Sequence, residues 1–130
     1  PWGVLAEARR AGILAAQNRT QEAEAVAARL TTRADAGPED WTRMADIARR
    51  AGRNADAAGH YSRALALLPA DAGPVQAQLW FLRGSANELA GNWPDAEADL
   101  RRAVQAEPDD ALYLKYLRYS LLDRRLNLPE

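Results

Sequence analysis

The chain has 130 residues, 48% hydrophobic and 27% charged, and its 17 basic and 18 acidic side chains give a formal net charge of −1. That length allows one compact domain or a short stack of repeats, and the near balance of charge leaves no long-range field to attract nucleic acid or anionic lipid. The absence of cysteine removes disulfides, thiolate chemistry and sulfur-ligated metals.

In chain order, seven helices are expected near 2–16, 20–33, 38–51, 54–67, 74–90, 94–106 and 110–124. The first stops at Asn18-Arg19-Thr20, an N-x-T pattern that reads better as helix stop and start than as a glycosylation acceptor. In the third, Met44, Ala45, Ile47, Ala48 and Ala51 recur at amphipathic-helix spacing, and Gly52 ends the stripe. Pro38 with Glu39 and Asp40, Pro74 after Gly73, and Pro94 with Asp95 are start signals: proline lacks the donor that a first turn leaves unpaired, and the acids complement the helix dipole. The seventh helix differs, because Leu112, Tyr113, Leu114, Tyr116, Leu117, Tyr119, Leu121 and Leu122 cover most of its circumference. A helix apolar all round requires burial on more than one side.

Periodicity organises these helices. Gln21-Glu22-Ala23-Glu24-Ala25, Ala55-Asp56-Ala57-Ala58 and Pro94-Asp95-Ala96-Glu97-Ala98 each place a small residue after an acid just past a turn. Ala23 to Ala57 is 34 positions and Ala57 to Ala96 is 39, the same period plus five residues. The second copy then reads Trp41, Met44, Ala45, Gly52, Ala57, Tyr61, Ala64, Pro69, and the third Trp80, Arg83, Gly84, Gly91, Ala96, Leu100, Ala103, Pro108. Both resemble the tetratricopeptide repeat, whose period is 34 residues and whose tryptophan-to-proline intervals they keep. The resemblance covers residues 1–130 as one repeat domain, with copies about 4–37, 38–71, 77–110 and a partial one at 111–130. The five extra residues fall at 70–76 and are expected to lengthen the fifth helix at its start. The tail from Tyr113 to Leu121 is similar to segments of bacterial multi-repeat members of the family.

A search for chemistry gives little. One histidine and no cysteine cannot assemble a metal site, and His60 reads as a partly solvated helix residue. The acidic pairs Glu22/Glu24, Asp95/Asp99 and Asp109/Asp110 read as helix-start charges and solvated faces. Phosphate-cradling glycine motifs and the hydrolase G-x-S-x-G elbow do not occur. No catalytic residue, metal or cofactor is expected, and arginine pairs interleaved with acids do not make a nucleic-acid track.

What the resemblance implies is an all-α, right-handed superhelical stack of antiparallel helix pairs, a TPR-like α-solenoid that binds a protein or peptide ligand in its concave groove. By family register the groove positions are Glu39, Thr42, Asp46, Arg49 and Arg50 in the second copy, Gln78, Phe81, Ser85 and Glu88 in the third, and Leu112, Lys115 and Tyr119 in the fourth. Phe81 and Tyr119 are the expected anchors. Ala8 and Gly12 stand where the family's carboxylate clamp has lysine and asparagine, so the clamp is missing. Ala48 and Asn87 replace the family's aromatic and Arg118 its small residue, and each is expected to loosen helix packing. One alternative is a self-assembly module forming a homodimer through Leu114, Leu117 and Leu121 of the apolar seventh helix. Another is the non-catalytic regulatory segment of a larger enzyme. With no membrane-length apolar run and no charged leader, a soluble chain of cytoplasm or periplasm without direct membrane insertion is expected. Pro1 in place of an initiator methionine suits a processed or excised piece.

Overall fold

A computed structural model describes residues 2–127. Among them are seven α-helices and no strand: α1 (Trp2–Ala16), α2 (Thr20–Thr31), α3 (Pro38–Arg50), α4 (Asn54–Leu67), α5 (Pro74–Leu89), α6 (Trp93–Ala106) and α7 (Ala111–Asn127). The expected helices are therefore all present, with ends that differ by a few residues. Pro129 and Glu130, where the fourth copy would turn toward a second helix, lie outside the described residues.

The turns inside the helix pairs share one geometry. Asn18, Gly52 and Gly91 have positive φ of 60°, 82° and 83°. Their spacings of 34 (52 − 18) and 39 (91 − 52) residues repeat the two sequence intervals. In each turn the next amide reaches back to a carbonyl five residues earlier: Arg19 to Leu14 at 2.9 Å, Arg53 to Ala48 at 2.9 Å and Asn92 to Asn87 at 2.8 Å. This is the Schellman closure, which satisfies carbonyls that a helix end leaves orphaned. Asn18 thus serves as a helix stop, as its place in the turn suggests. At the helix starts, Asp40 accepts the Gly37 amide at 2.9 Å and Asp110 accepts the Tyr113 amide at 3.1 Å.

The chain divides between Leu68 and Pro69 into two compact units, at the stretch that carries the extra residues, where the sequence reading has one domain. In the first unit α1 packs on α2, α2 on α3 and α3 on α4. Ala11, Leu14, Ala15, Ala23, Val26, Ala27 and Ile47 form its core, with Met44 against it. The alanines are small enough to let backbones approach closely, which explains why Ala23, Ala57 and Ala96 are all fully buried.

In the second unit α6 packs on both α5 and α7, over a core of Ala77, Ala103 and Tyr113 with Trp80, Phe81 and Val104. The α5–α6 crossing is tightest at Gly84, where a Cβ would lie 3.1 Å from Leu100 and 3.2 Å from Cβ of Asp99. As expected, α5 is the longer first helix, 16 residues against 13 in α3.

Two sequence expectations need correction here. Asp99 is not on a solvated face: its residue is 2% exposed, and it accepts two hydrogen bonds of 2.7 Å from the Arg83 guanidinium and one of 2.7 Å from Arg102. A buried carboxylate persists only when paired in this way. Nor does Asn87 leave a misfit, since its buried amide lies 3.5 Å from Asp99 as a long fourth donor. Arg118, at the position where the family keeps a small residue, is exposed.

Candidate peptide-binding surfaces

In the first unit the expected ligand positions lie on α3 and have different roles. Glu39 and Arg50 are exposed, whereas the Thr42 hydroxyl donates to the Pro38 carbonyl at 2.9 Å within its own helix. Asp46 and Arg49 turn toward Tyr61 of α4, a fully buried residue: the phenol donates to Asp46 Oδ1 and accepts from Arg49 Nε at 3.2 Å. Burial, followed by the Asp46 hydrogen bond, pushes the Tyr61 phenol well above its ordinary range. Asp46 and Arg49 therefore fasten α3 to α4. Beside them the His60 ring lies 5.8 Å from Trp41, and Arg63 sits 4.9 Å over the same indole. Burial lowers the His60 pKa.

In the second unit Gln78 is exposed and Ser85 buried. Phe81 is half-buried, stacked on Tyr113 at 4.8 Å and edge-on to Tyr116 at 5.2 Å, so its ring joins α5 to α7. Tyr119 faces solvent at 62% exposure, with the Lys115 ammonium 5.8 Å from its ring.

Glu88 and Tyr119 meet in a cleft of about 520 Å³. Glu88 and Leu89 close α5, Trp93 opens α6, and Tyr116, Tyr119, Ser120 and Asp123 come from α7. Burial raises the Tyr116 phenol. Sequence reasoning missed Leu89, Trp93, Tyr116, Ser120 and Asp123 as lining residues. Trp93 is the first residue of α6, just past the Gly91 turn and outside the first-helix register of the groove positions, and an indole beside a turn was the available signal. A second hollow of about 410 Å³ shares Tyr119 and is lined by Ala111, Leu114, Lys115, Arg118 and Leu122.

Of the residues proposed for self-association, Leu117 is buried within its own unit at 7% exposure, and Leu114 and Leu121 are half-buried. Among the described residues, the large apolar side chains exposed on α7 are instead Leu112, Tyr119 and Leu122, at 58%, 62% and 52%. Among the described residues no three histidine, cysteine or carboxylate side chains group as a metal site, and no helix is long and apolar enough to cross a membrane.

Helix pairs closed by one recurring turn at intervals of 34 and 39 residues define a helical-repeat protein. A family model for the tetratricopeptide repeat matches residues 42–111, more than half of the chain, which belongs to that family. Comparison with curated proteins gave no match. Tetratricopeptide repeats mediate protein–protein interactions and are typically non-catalytic scaffolds.

Proposed function

We propose that this chain is an adaptor that binds a peptide or partner protein on the faces of its first-in-pair helices, and catalyses nothing on it. The observation that carries the reading is the cleft of the second unit. Leu89 and Tyr119 are 65% and 62% exposed at its edge, two large apolar groups held open around a concavity. Such a site gains energy by covering aromatic and aliphatic anchors. Phe81 contributes from beneath by holding Tyr116 in place. On the first unit, Glu39 and Arg50 of α3 are exposed charges of the kind that tune selectivity more than affinity.

Panning a random-peptide library on the chain tests this. Selected peptides should lose affinity by about tenfold on Tyr119→Ala, the equivalent of about 1.4 kcal/mol. Failure to enrich any sequence, or enriched peptides indifferent to Tyr119→Ala and to Arg50→Ala, would sink the proposal.

Self-assembly through α7 is the second reading, favoured by the exposed Leu112 and Leu122. Sedimentation over a wide micromolar range should then show a dimer abolished by Leu122→Glu; a monomer throughout removes this reading and leaves the adaptor intact.

A further inference from the structure

The cleft at the α5–α6 turn is chemically one-sided. Glu88 and Asp123 bring carboxylates, Trp93, Tyr116 and Tyr119 bring rings, and no arginine or lysine lines it. Aromatic faces attract cations, and here the structure already uses two of these rings so: Arg124 lies 5.9 Å from Trp93 and Lys115 5.8 Å from Tyr119. Neither cation lines the cleft. Arg124 is ion-paired with Glu97, and Lys115 lines the neighbouring hollow with Arg118.

We infer that this cleft takes an arginine side chain of a bound peptide, with apolar residues flanking that arginine in the ligand. The inference rests on the adaptor reading and specifies its ligand. A planar guanidinium stacks on an indole or phenol while its fork of donors reaches carboxylates, which an ammonium does less well. A volume of about 520 Å³ exceeds one side chain, and exposed Leu89 gives a neighbouring apolar residue something to cover. An acidic ligand residue would meet Glu88 and Asp123 with like charge, so the same groups reject it. Tyr119 separates this cleft from a hollow of opposite sign.

The test uses the full chain and three blocked pentapeptides, with arginine, lysine or glutamate between two leucines, followed in proton–nitrogen correlation spectra. The Trp93 indole signal is identified by its loss in Trp93→Phe. The arginine peptide should shift that signal saturably, binding about tenfold more tightly than the glutamate peptide and more tightly than the lysine peptide. Combining Glu88→Gln with Asp123→Asn should lower its affinity by about tenfold and remove most of the salt dependence, while the other indole signals report that the fold is kept. Equal or tighter binding of the glutamate peptide at Trp93, or unchanged affinity in the neutralised variant, overturns the inference. So does an arginine peptide that shifts only signals elsewhere, an outcome that leaves the adaptor reading standing. If none of the three peptides shifts any signal, the inference is likewise overturned, and the library selection decides the adaptor reading separately.

Discussion

Arg83 and Asp99 form a buried ion pair at the repeat positions that Met44 and His60 hold one copy earlier, 39 residues upstream in each case (83 − 44; 99 − 60). The earlier copy fills the site with a thioether and a ring beside Trp41. The later one fills it with charges that satisfy each other. Removing one partner leaves the other uncompensated, which costs about 3–5 kcal/mol in buried pairs. Arg83→Met should destabilise toward the low end of that range, because Arg102 still holds Asp99. Arg83→Met combined with Asp99→His, the pair of the preceding copy, should recover most of the loss in urea unfolding. A double variant no more stable than Arg83→Met would refute the equivalence of the two sites.

Ala57 and Ala96 are fully buried where second helices begin. A glutamate at either position buries an unpaired carboxylate, and Ala57→Glu or Ala96→Glu should each destabilise by about 3 kcal/mol. Unaltered thermal midpoints would mean that these positions are not helix contacts.

Two glycines in helix interiors should respond in opposite directions. A Cβ added at Gly84 would lie within 3.2 Å of Leu100 and Asp99, so Gly84→Leu overpacks the α5–α6 crossing and should cost about 1–3 kcal/mol or more. Gly59 in α4 has nothing within 4 Å of an added Cβ, and Gly59→Ala should stabilise by about 0.5–1 kcal/mol through helix propensity alone. Denaturant midpoints moving in the same direction for both variants would contradict this.

Acid should weaken the fold through two groups. The Arg124 hydrogen bond, then that of Arg101, holds the Glu97 carboxyl below its ordinary value of 4.5, and burial holds His60 below 6.5. Both folded-state values are depressed. Each contribution is therefore present above the ordinary value and lost as pH falls through the depressed one. The His60 contribution should fade first, below neutrality, and the Glu97 contribution in the carboxylate range. Stability measured against pH should show the first loss disappear in His60→Asn and the second shrink in Glu97→Gln; profiles identical to the parent's would show that neither group is linked to folding.

The family and every helix could be read from Trp41, Trp80, the buried alanines and the prolines, because these encode backbone turns and close contacts that depend on one residue at a time. Asp99 could not. Its burial depends on Arg83 arriving from another helix, and an acid four residues after Asp95 looks like any solvated helix charge. The candidate cleft was partly legible for a related reason. Family register placed Glu88 and Tyr119 beside the cleft, but it also included Asp46 and Arg49, whose partner Tyr61 lies on the second helix of the pair. Trp93 and Asp123 escaped because the cleft forms where a turn and a third helix converge, a relation no single-helix register encodes.

Tyr61 makes the first unit optically legible. It is the one tyrosine among the residues before Pro69, the other three being Tyr113, Tyr116 and Tyr119. A phenol buried against Asp46 resists ionisation until its surroundings open, so its folded-state pKa lies above the ordinary 10.0. The stability it contributes is present below that value and lost as pH rises through the folded one. In an alkaline titration, near-ultraviolet tyrosinate absorbance from Tyr61 should therefore rise with the melting of α3 from α4 and not with simple deprotonation. The difference spectrum between the parent and Tyr61→Phe isolates that signal, giving a label-free reading of one half of the chain while a ligand is titrated onto the other.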